Sequence, residues 1–576
     1  QATDTATLPL CTTPNAVSSI TSIHYNGSSA LSLSLSLSLC VHLPGALPPR
    51  RLVLKWWCWS RVVQSDAPCV CDRTVRMKVA VQVAVLVVVG VALIAGSLVF
   101  QRCFSSVFDK MLSNKLLLVP GSKTLESFKS PPVPIFMQFW LFNVTNSEEV
   151  LGGAVPILQQ VGPYTFEEKQ LKYNLTFHDH EGSVTYLQNK SFYFREDLSE
   201  GHKESDKITT INAIMMSIGS KFEGLPSALK GIIEILFVRF SVTPFITKPV
   251  GELLFYGYDE PMLKQLAPMT KDPVHATGKF GFFYPKNNSN DGTYTVYTGV
   301  KDMAEYQHIV RWKGEEHIDF WKRDMWGGNS CNMINGTTGN QFPPPVSKHE
   351  PLRLYTAELC RSIYAVFQKE VTHGHLTLYR YVLPAQLLAN SPENKCFCTD
   401  DFTCRPSMIN VAPCRKGAPV VMSTPHFYQG EIEDAQQVVG LDPREEEHET
   451  YLDIEPTTGV TFRAAKRIQV NIPLRQYSNL PSFRSVPDVI LPVLWVNESV
   501  EVPLARTAAL HRTLTLPFTL VNVATWVLVT LGVLLILVAV VKVVLTHRKS
   551  HPKKRTVSEK DKDGAVTEKL NDKNYN

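Results

Sequence analysis

Residues 79–100 read VAVQVAVLVVVGVALIAGSLVF and residues 516–541 read LPFTLVNVATWVLVTLGVLLILVAVV, with no charged side chain in either stretch. About 20 apolar residues suffice for a helix to cross a bilayer, and a helix satisfies its own backbone polar groups in hydrocarbon. Both stretches exceed that length, so two membrane spans with one long segment between them are expected. The alternative for the first stretch is a cleaved signal sequence, with Met77-Lys78 as a charged start and Ala95-Gly96-Ser97 as small residues for cleavage. A signal core runs to about 7–15 apolar residues, and this one is longer.

Charge beside the spans sets the expected orientation. Arg548, Lys549, Lys553, Lys554 and Arg555 follow the second stretch with no acid among them, and Arg76 and Lys78 precede the first. The positive-inside rule then puts both ends in the cytoplasm and residues 101–515 outside the cytosol. Asn-x-Ser/Thr acceptors at Asn143, Asn174, Asn189, Asn287, Asn335 and Asn497 all fall in that outer segment, where glycosylation takes place. The net charge of +5 is too mild to imply nucleic acid, and no basic run with interleaved aromatics suggests it.

Residues 1–76 stand apart. They hold no methionine, and residues 31–39 alternate Leu and Ser. Such low complexity argues against a packed core. Residues 1–76 are read as a leader outside the functional chain, which starts at Met77; a cytoplasmic extension is the alternative.

Of the 12 cysteines, those outside the leader are Cys103, at the edge of the first span, and a group made of Cys331, Cys360, Cys396, Cys398, Cys404 and Cys414. Zinc binding by Cys396, Cys398, Cys404 and Cys414 is conceivable. In an oxidising compartment an even set of thiols is more often paired, so disulfides are expected, with the connectivity open from spacing.

Much of the outer segment reads as antiparallel β. Residues 279–284 and 293–298 flank the turn signal Asn290-Asp291-Gly292 and predict a hairpin. Residues 376–382 and 468–472 alternate in the same way, and Pro343-Pro344-Pro345 marks a stiff loop. Within residues 205–245 the period becomes helical. Ile208, Ile211, Met215, Ile218 and Phe222 predict one helix, and Leu225, Leu229, Ile232, Leu236 and Phe240 a second. The second carries apolar side chains on nearly every face, including Ile233, Ile235, Phe237 and Val238, yet is too short to span a membrane. Either it is a buried core helix or it presents an apolar surface to lipid or a partner, rimmed by Lys221, Lys230 and Arg239.

Several stretches resemble the class B scavenger receptor family, in the family's order. They are Gly162-Pro163-Tyr164-Thr165-Phe166, Glu252-Leu253-Leu254 with Gly257-Tyr258, Cys331-Asn332-Met333-Ile334-Asn335-Gly336-Thr337 with Phe342-Pro343-Pro344, and Cys360-Arg361-Ser362. Further on come Leu378-Tyr379-Arg380-Tyr381, Pro425-His426-Phe427, Glu455-Pro456-Thr457-Thr458-Gly459 and Pro492-Val493-Leu494-Trp495. The resemblance implies an α+β fold: a large antiparallel β-barrel ectodomain with short helices and an apical helical bundle, flanked by two transmembrane helices. It further implies an apolar tunnel that carries lipid to the bilayer, and the pairings Cys331–Cys396, Cys360–Cys414 and Cys398–Cys404. Arg239 lands where a family member presents a lysine to anionic ligands, which makes it the first candidate contact, with Lys221, Lys230 and Phe240 beside it. Phe255-Tyr256-Gly257 is longer than the family's usual Trp-Gly.

The expected function is that of a cell-surface scavenger or lipid receptor. It would bind lipoproteins or anionic phospholipids at the apex and pass fatty acid, cholesterol or its esters to the membrane. Electrostatics would speed encounter, and apolar burial would hold the ligand. Expected partners also include a second copy of the chain. The tail shows no acidic dileucine or tyrosine-based sorting signal, which favours the plasma membrane over the lysosomal membrane. A phagocytic or pattern-recognition receptor without lipid transport is a rival. A two-span ligand-gated channel is another, but a pore needs a polar face, and the spans offer few polar side chains, among them Gln82, Asn522, Thr525 and Thr530. No Gly-x-Ser-x-Gly, His-Glu-x-x-His or phosphate-binding loop occurs, so no catalytic residue, metal or cofactor is expected. The clusters His178-Asp179-His180-Glu181 and Glu445-Glu446-Glu447-His448-Glu449 read as solvated turns.

Overall fold

The computed structural model describes residues 70–270, 276–400, 402–477 and 480–550. The leader up to residue 69 and the tail beyond residue 550 lie outside the described residues, and with them the expectations made for both. Two helices, Val70–Leu116 and Leu516–Ser550, contain the stretches long and apolar enough to cross a membrane. They touch where neither carries a side chain: a Cβ on Gly90 would lie 2.7 Å from the carbonyl oxygen of Gly532, and a Cβ on Gly532 equally close to that of Gly90. Toward one end of the pair Gln101 Nε2 donates to Asn522 Oδ1 at 3.3 Å, and toward the other Lys542 Nζ donates to Gln82 Oε1 at 3.3 Å. Thr525 and Thr530 donate to their own helix, at Val521 and Trp526. The polar groups a pore would need are thus engaged within the helix pair.

Between the helices lies one large antiparallel sheet. Its order is β10 (Leu352–Thr356), β11 (Arg361–His373), β12 (Leu376–Val382), β15 (Tyr451–Ile454), β16 (Thr461–Leu474), β17 (Val489–Glu501), β1 (Ile135–Val144), β2 (Leu158–His178), β3 (Ser183–Phe194), β8 (Thr293–Tyr297) and β9 (Ile309–Trp312). β13 (Met408–Asn410) and β14 (Val421–Ser423) attach to β16. β1, the first strand in sequence, lies between β17, the last, and β2. The sheet curls until it is nearly closed. β1 alternates in burial, as a strand with two unlike faces must, whereas β17 is buried from Val489 to Asn497.

Two small sheets account for two corrections. β4 (Lys207–Ile211) pairs with β5 (Phe245–Pro249), so Ile208 and Ile211 belong to a strand and not to the first helix. That helix spans Ala213–Lys221, beginning two residues after the strand ends, and Asn212 Oδ1 accepts from the backbone N–H groups of Ile214 and Met215. An i, i+3 pair of isoleucines shares one face of a helix but lies on opposite faces of a strand, and here both faces are buried, Ile208 at 2% and Ile211 at 0% exposure. The expected hairpin is also absent: β6 (Tyr258–Asp259) pairs with β7 (Lys279–Phe280), while β8 pairs with β3 and β9. Thr295 on β8 finds Thr185 on β3, Oγ1 to Oγ1 at 2.8 Å. The alternating threonines of residues 293–298 therefore mark a strand, but its neighbour lies more than 100 residues earlier, with |i−j| of 110 for this pair.

Candidate ligand surface and the interior of the sheet

β17 runs from Val489 to Glu501, and the chain then passes through Leu504–Leu510 into the second membrane helix. At roughly 3.3 Å per residue β17 is about 40 Å long, so its start lies at the end of the sheet away from the membrane helices. At that far end two helices, Ala213–Lys221 and Ser227–Arg239, close the sheet. Phe237 meets Phe483 edge-on, with ring centroids 6.3 Å apart, and Ile233 and Phe237 are buried in the larger core cluster.

The second helix has another apolar face that none of the described residues covers. Leu229, Ile232, Ile235 and Val238 follow one another at i+3, and Ile235 and Val238 are 66% and 73% exposed. Arg239 ends this helix and is exposed, as is Lys221 at the end of its partner. Phe240 is half-buried and packs on the core. Lys230 does not join the rim: it is only 4% exposed. Position 230 precedes Ile233 by three residues and Phe237 by seven, so it shares their inward face.

A second polar feature lies inside the sheet and was missed from the sequence. Lys190 Nζ stands 2.9 Å from Glu168 and 3.6 Å from Glu498; Lys466 Nζ stands 3.2 Å from Glu498 and 3.0 Å from Glu358. Gln170 donates to Glu168 Oε1 at 2.8 Å. Farther along β2, Lys172 Nζ donates to Phe128 O at 3.0 Å, with the rings of Phe128 and Tyr186 beneath it. Burial pushes the Lys172 amine down to about 7, with help from the Lys190 charge. Burial also raises the Glu168 carboxyl against the pull of Lys190. For Glu358 burial is outweighed by Lys466 and Lys190, which hold it at about 2. The signal in the sequence was the run Glu168-x-Gln170-x-Lys172 directly after Tyr164-x-Phe166; alternating polar residues on a strand ordinarily mean a solvent face.

Residues 85–543 match the sequence profile of the CD36 family. The chain belongs to the CD36 family. Lysosome membrane protein 2 of Rattus norvegicus is 34% identical over 438 residues, 76% of this chain and 89% of that protein. The human protein of the same name matches to the same extent. Scavenger receptor class B member 1 of Mus musculus is 32% identical over 440 residues, 76% of this chain and 84% of that protein.

Residues that carry the CD36-family resemblance are largely architectural. The Glu455 carboxylate accepts from the Thr457 and Thr458 N–H groups and from Thr458 Oγ1. Gly459 closes that turn at φ +71°, where a Cβ would lie 1.9 Å from Phe342 O. Trp495 stacks on Trp140 with centroids 3.9 Å apart and donates to Gln160 Oε1, which also meets His426 Nε2.

Disulfides join Cys331 to Cys396, Cys360 to Cys414 and Cys398 to Cys404, and Cys103 is free and exposed. The Asn-x-Ser/Thr acceptors differ in setting. Asn174 is exposed, at φ +53°. Asn143 Oδ1 accepts from Thr209 N, Asn189 Nδ2 donates to Asn288, Asn287 Oδ1 accepts from Phe192 N, and Asn335 is half-buried. Asn497 is 9% exposed on a strand paired along both edges, and its Nδ2 donates to Gln138 Oε1 at 3.0 Å; a glycan there requires that bond to break.

Among the described residues no group of three or more His, Cys, Asp or Glu side chains is arranged to hold a metal. Glu181 receives Arg311 and Ser183, and His178 Nε2 meets Thr185 Oγ1 at 2.9 Å. His448 is buried, so the second cluster is not wholly the solvated turn expected of it; its Nδ1 accepts from Arg444 N.

Proposed function

We propose that the chain is a lipid-capturing receptor of the cell surface, with both ends in the cytoplasm. Its far helical end touches lipoprotein or anionic membrane surfaces, and lipid then travels through the interior of the sheet to the bilayer. The observation that carries this reading is the uncovered row Leu229, Ile232, Ile235 and Val238, ending beside Arg239. A row of large apolar side chains open to water is unfavourable unless something docks on it. The neighbouring cations Arg239 and Lys221 favour an anionic surface, and their attraction accelerates encounter. Family relatives named scavenger receptor class B member 1 support receptor function; those named lysosome membrane protein 2 keep the lysosomal membrane as the second location.

Uptake tests the reading directly. Cells expressing the chain should take up labelled fatty acid, cholesterol, cholesteryl ester or phosphatidylserine vesicles above untransfected cells. The substitution pair Ile235→Asp/Val238→Asp should reduce uptake several-fold at equal surface level, and Arg239→Glu should reduce it for anionic vesicles in particular. Uptake no higher than in untransfected cells for all four ligands sinks the proposal.

A further inference from the structure

One guanidinium is buried without a carboxylate beside it. Arg361, the first residue of β11, is only 6% exposed. Its Nε donates to Ser362 O at 3.3 Å, its Nη1 to Leu387 O at 3.4 Å and its Nη2 to Asn394 Oδ1 at 3.3 Å. These bonds are long, and they leave part of the five-donor fork unused. No acid among the described residues pairs with the charge, and burial lowers the guanidinium to about 9 with Tyr364 alone opposing it. Phe397 lies against the group, its ring centroid 3.6 Å from Cζ. Other arginines of this half of the chain are matched: Arg380 and Arg463 share Asp453, and Arg405 meets Asp434. A buried charge is costly unless it is paired, so Arg361 is set to receive an anion from outside the chain.

A cavity of about 520 Å³ offers the way in. It lies between the β10–β11 pair and the segment that carries Gln386, Asn394 and Phe397, and Arg361 lines it. Arg353 lines it too. That side chain stands opposite Tyr364 across the two strands, is exposed, and has no partner among the described residues. Glu393 is the one acid in the wall, and its carboxylate is taken by its own backbone N–H and the Ser391 hydroxyl. Positive charge therefore prevails in the cavity.

We infer that this cavity binds an acidic sugar, with its carboxylate, sulfate or phosphate on Arg361 and Arg353. A planar guanidinium fork matches such oxyanions in geometry as well as charge. The volume falls in the range of small-molecule sites and is far more than an inorganic ion fills. Tyr364, Gln386 and Ser362 bring hydroxyl and amide groups to the wall, which suit a hydroxylated body and interrupt the apolar lining an acyl chain would want. Asn335, a glycan acceptor, also borders the cavity, which makes the chain's own glycan the competing occupant. The site is separate from the apical row, and it does not depend on the lipid-capturing reading.

The test titrates the full chain in nanodiscs with N-acetylneuraminic acid, glucosamine 6-sulfate and glucose 6-phosphate, beside neutral N-acetylglucosamine and inorganic sulfate. At least one acidic sugar should bind at least tenfold more tightly than both controls. Arg353→Gln should weaken that binding at least fivefold, and Arg361→Lys, which keeps the charge but loses the fork, at least tenfold. Lys369→Gln removes an exposed cation farther along β11 and should leave binding within twofold. Absence of binding by every acidic sugar overturns the site, and so does an equal loss in Lys369→Gln and Arg353→Gln. Sulfate or the neutral sugar binding as tightly as the acids overturns the assigned ligand class. Binding that appears only after enzymatic removal of the glycans makes the Asn335 glycan the occupant and overturns it likewise. Should Arg361→Lys fail to fold, Arg353→Gln decides, and unchanged binding overturns the site.

Discussion

The imidazoles of His426 and His448 stack with centroids 4.3 Å apart and planes 14° from parallel. His426 Nδ1 accepts from Asp442 N and His448 Nδ1 accepts from Arg444 N, so both rings are held neutral with the proton on Nε2. Burial lowers His426 to about 4, against the pull of Asp442, and lowers His448 to about 3 with help from His426, Arg444 and Arg467. Unfolded histidine titrates near 6.5, so protons bind the unfolded chain first as pH falls. The stability held above pH 6.5 is then lost progressively down to about pH 4 for His426 and about pH 3 for His448, by up to about 1.4 kcal/mol per pH unit for each ring. Denaturant midpoints should fall between pH 7.5 and pH 5, and His426→Gln/His448→Gln should flatten that slope. Equal slopes in the two proteins would refute a neutral pair.

Asp453 is fully buried and receives two guanidinium groups, Arg380 at 2.7 Å and Arg463 at 2.7 Å. Asp453→Ala leaves both cations without their shared partner and should cost about 3–5 kcal/mol. The exposed pair of Arg195 with Asp197 is the control: Asp197→Ala should change stability by about 1 kcal/mol or less. Thermal unfolding of the purified protein separates the two.

On the far helix the two apolar faces should answer differently to substitution. Phe237→Ala empties a buried site and should destabilise by roughly 3–5 kcal/mol. Val238→Ala, one residue away but exposed, should stay within about 0.5 kcal/mol and instead weaken vesicle binding. Unfolding curves beside vesicle flotation give both readouts.

At the crossing of the membrane helices, Gly90→Leu should force them apart, because its Cβ would already meet Gly532 O and Ile536. Cysteines placed at Gln101 and Asn522 should cross-link in the parent protein and fail to do so with Gly90→Leu. Unchanged cross-linking would show that the helices pack by another face.

What was legible in the sequence follows from the range of the forces involved. The two spans were plain because hydropathy is a local property, and β12 and part of β16 were plain because their alternation is complete within a few residues. Residues 293–298 were recognised as a strand but given the wrong neighbour, since a turn signal speaks only for adjacent chain and Thr295 pairs with Thr185. Lys230 was assigned to the rim because charge alone suggests exposure, while its helical phase with Ile233 and Phe237 carries it inward. The ion pairs of the interior join β2, β3, β16, β17 and the segment after β10, and no local pattern reveals which polar strand face will be folded inward.

The pairing of β1 with β17 joins Gln138 to Asn497, 359 residues apart, in the middle of the sheet. Until the last strand has been synthesised, β1 and β16 each have an open edge, and open edges pair with whatever strand is near. A chain cut short before Val489 would therefore leave two aggregation-prone seams exposed, so premature termination near the C-terminus should damage this protein as severely as termination early on.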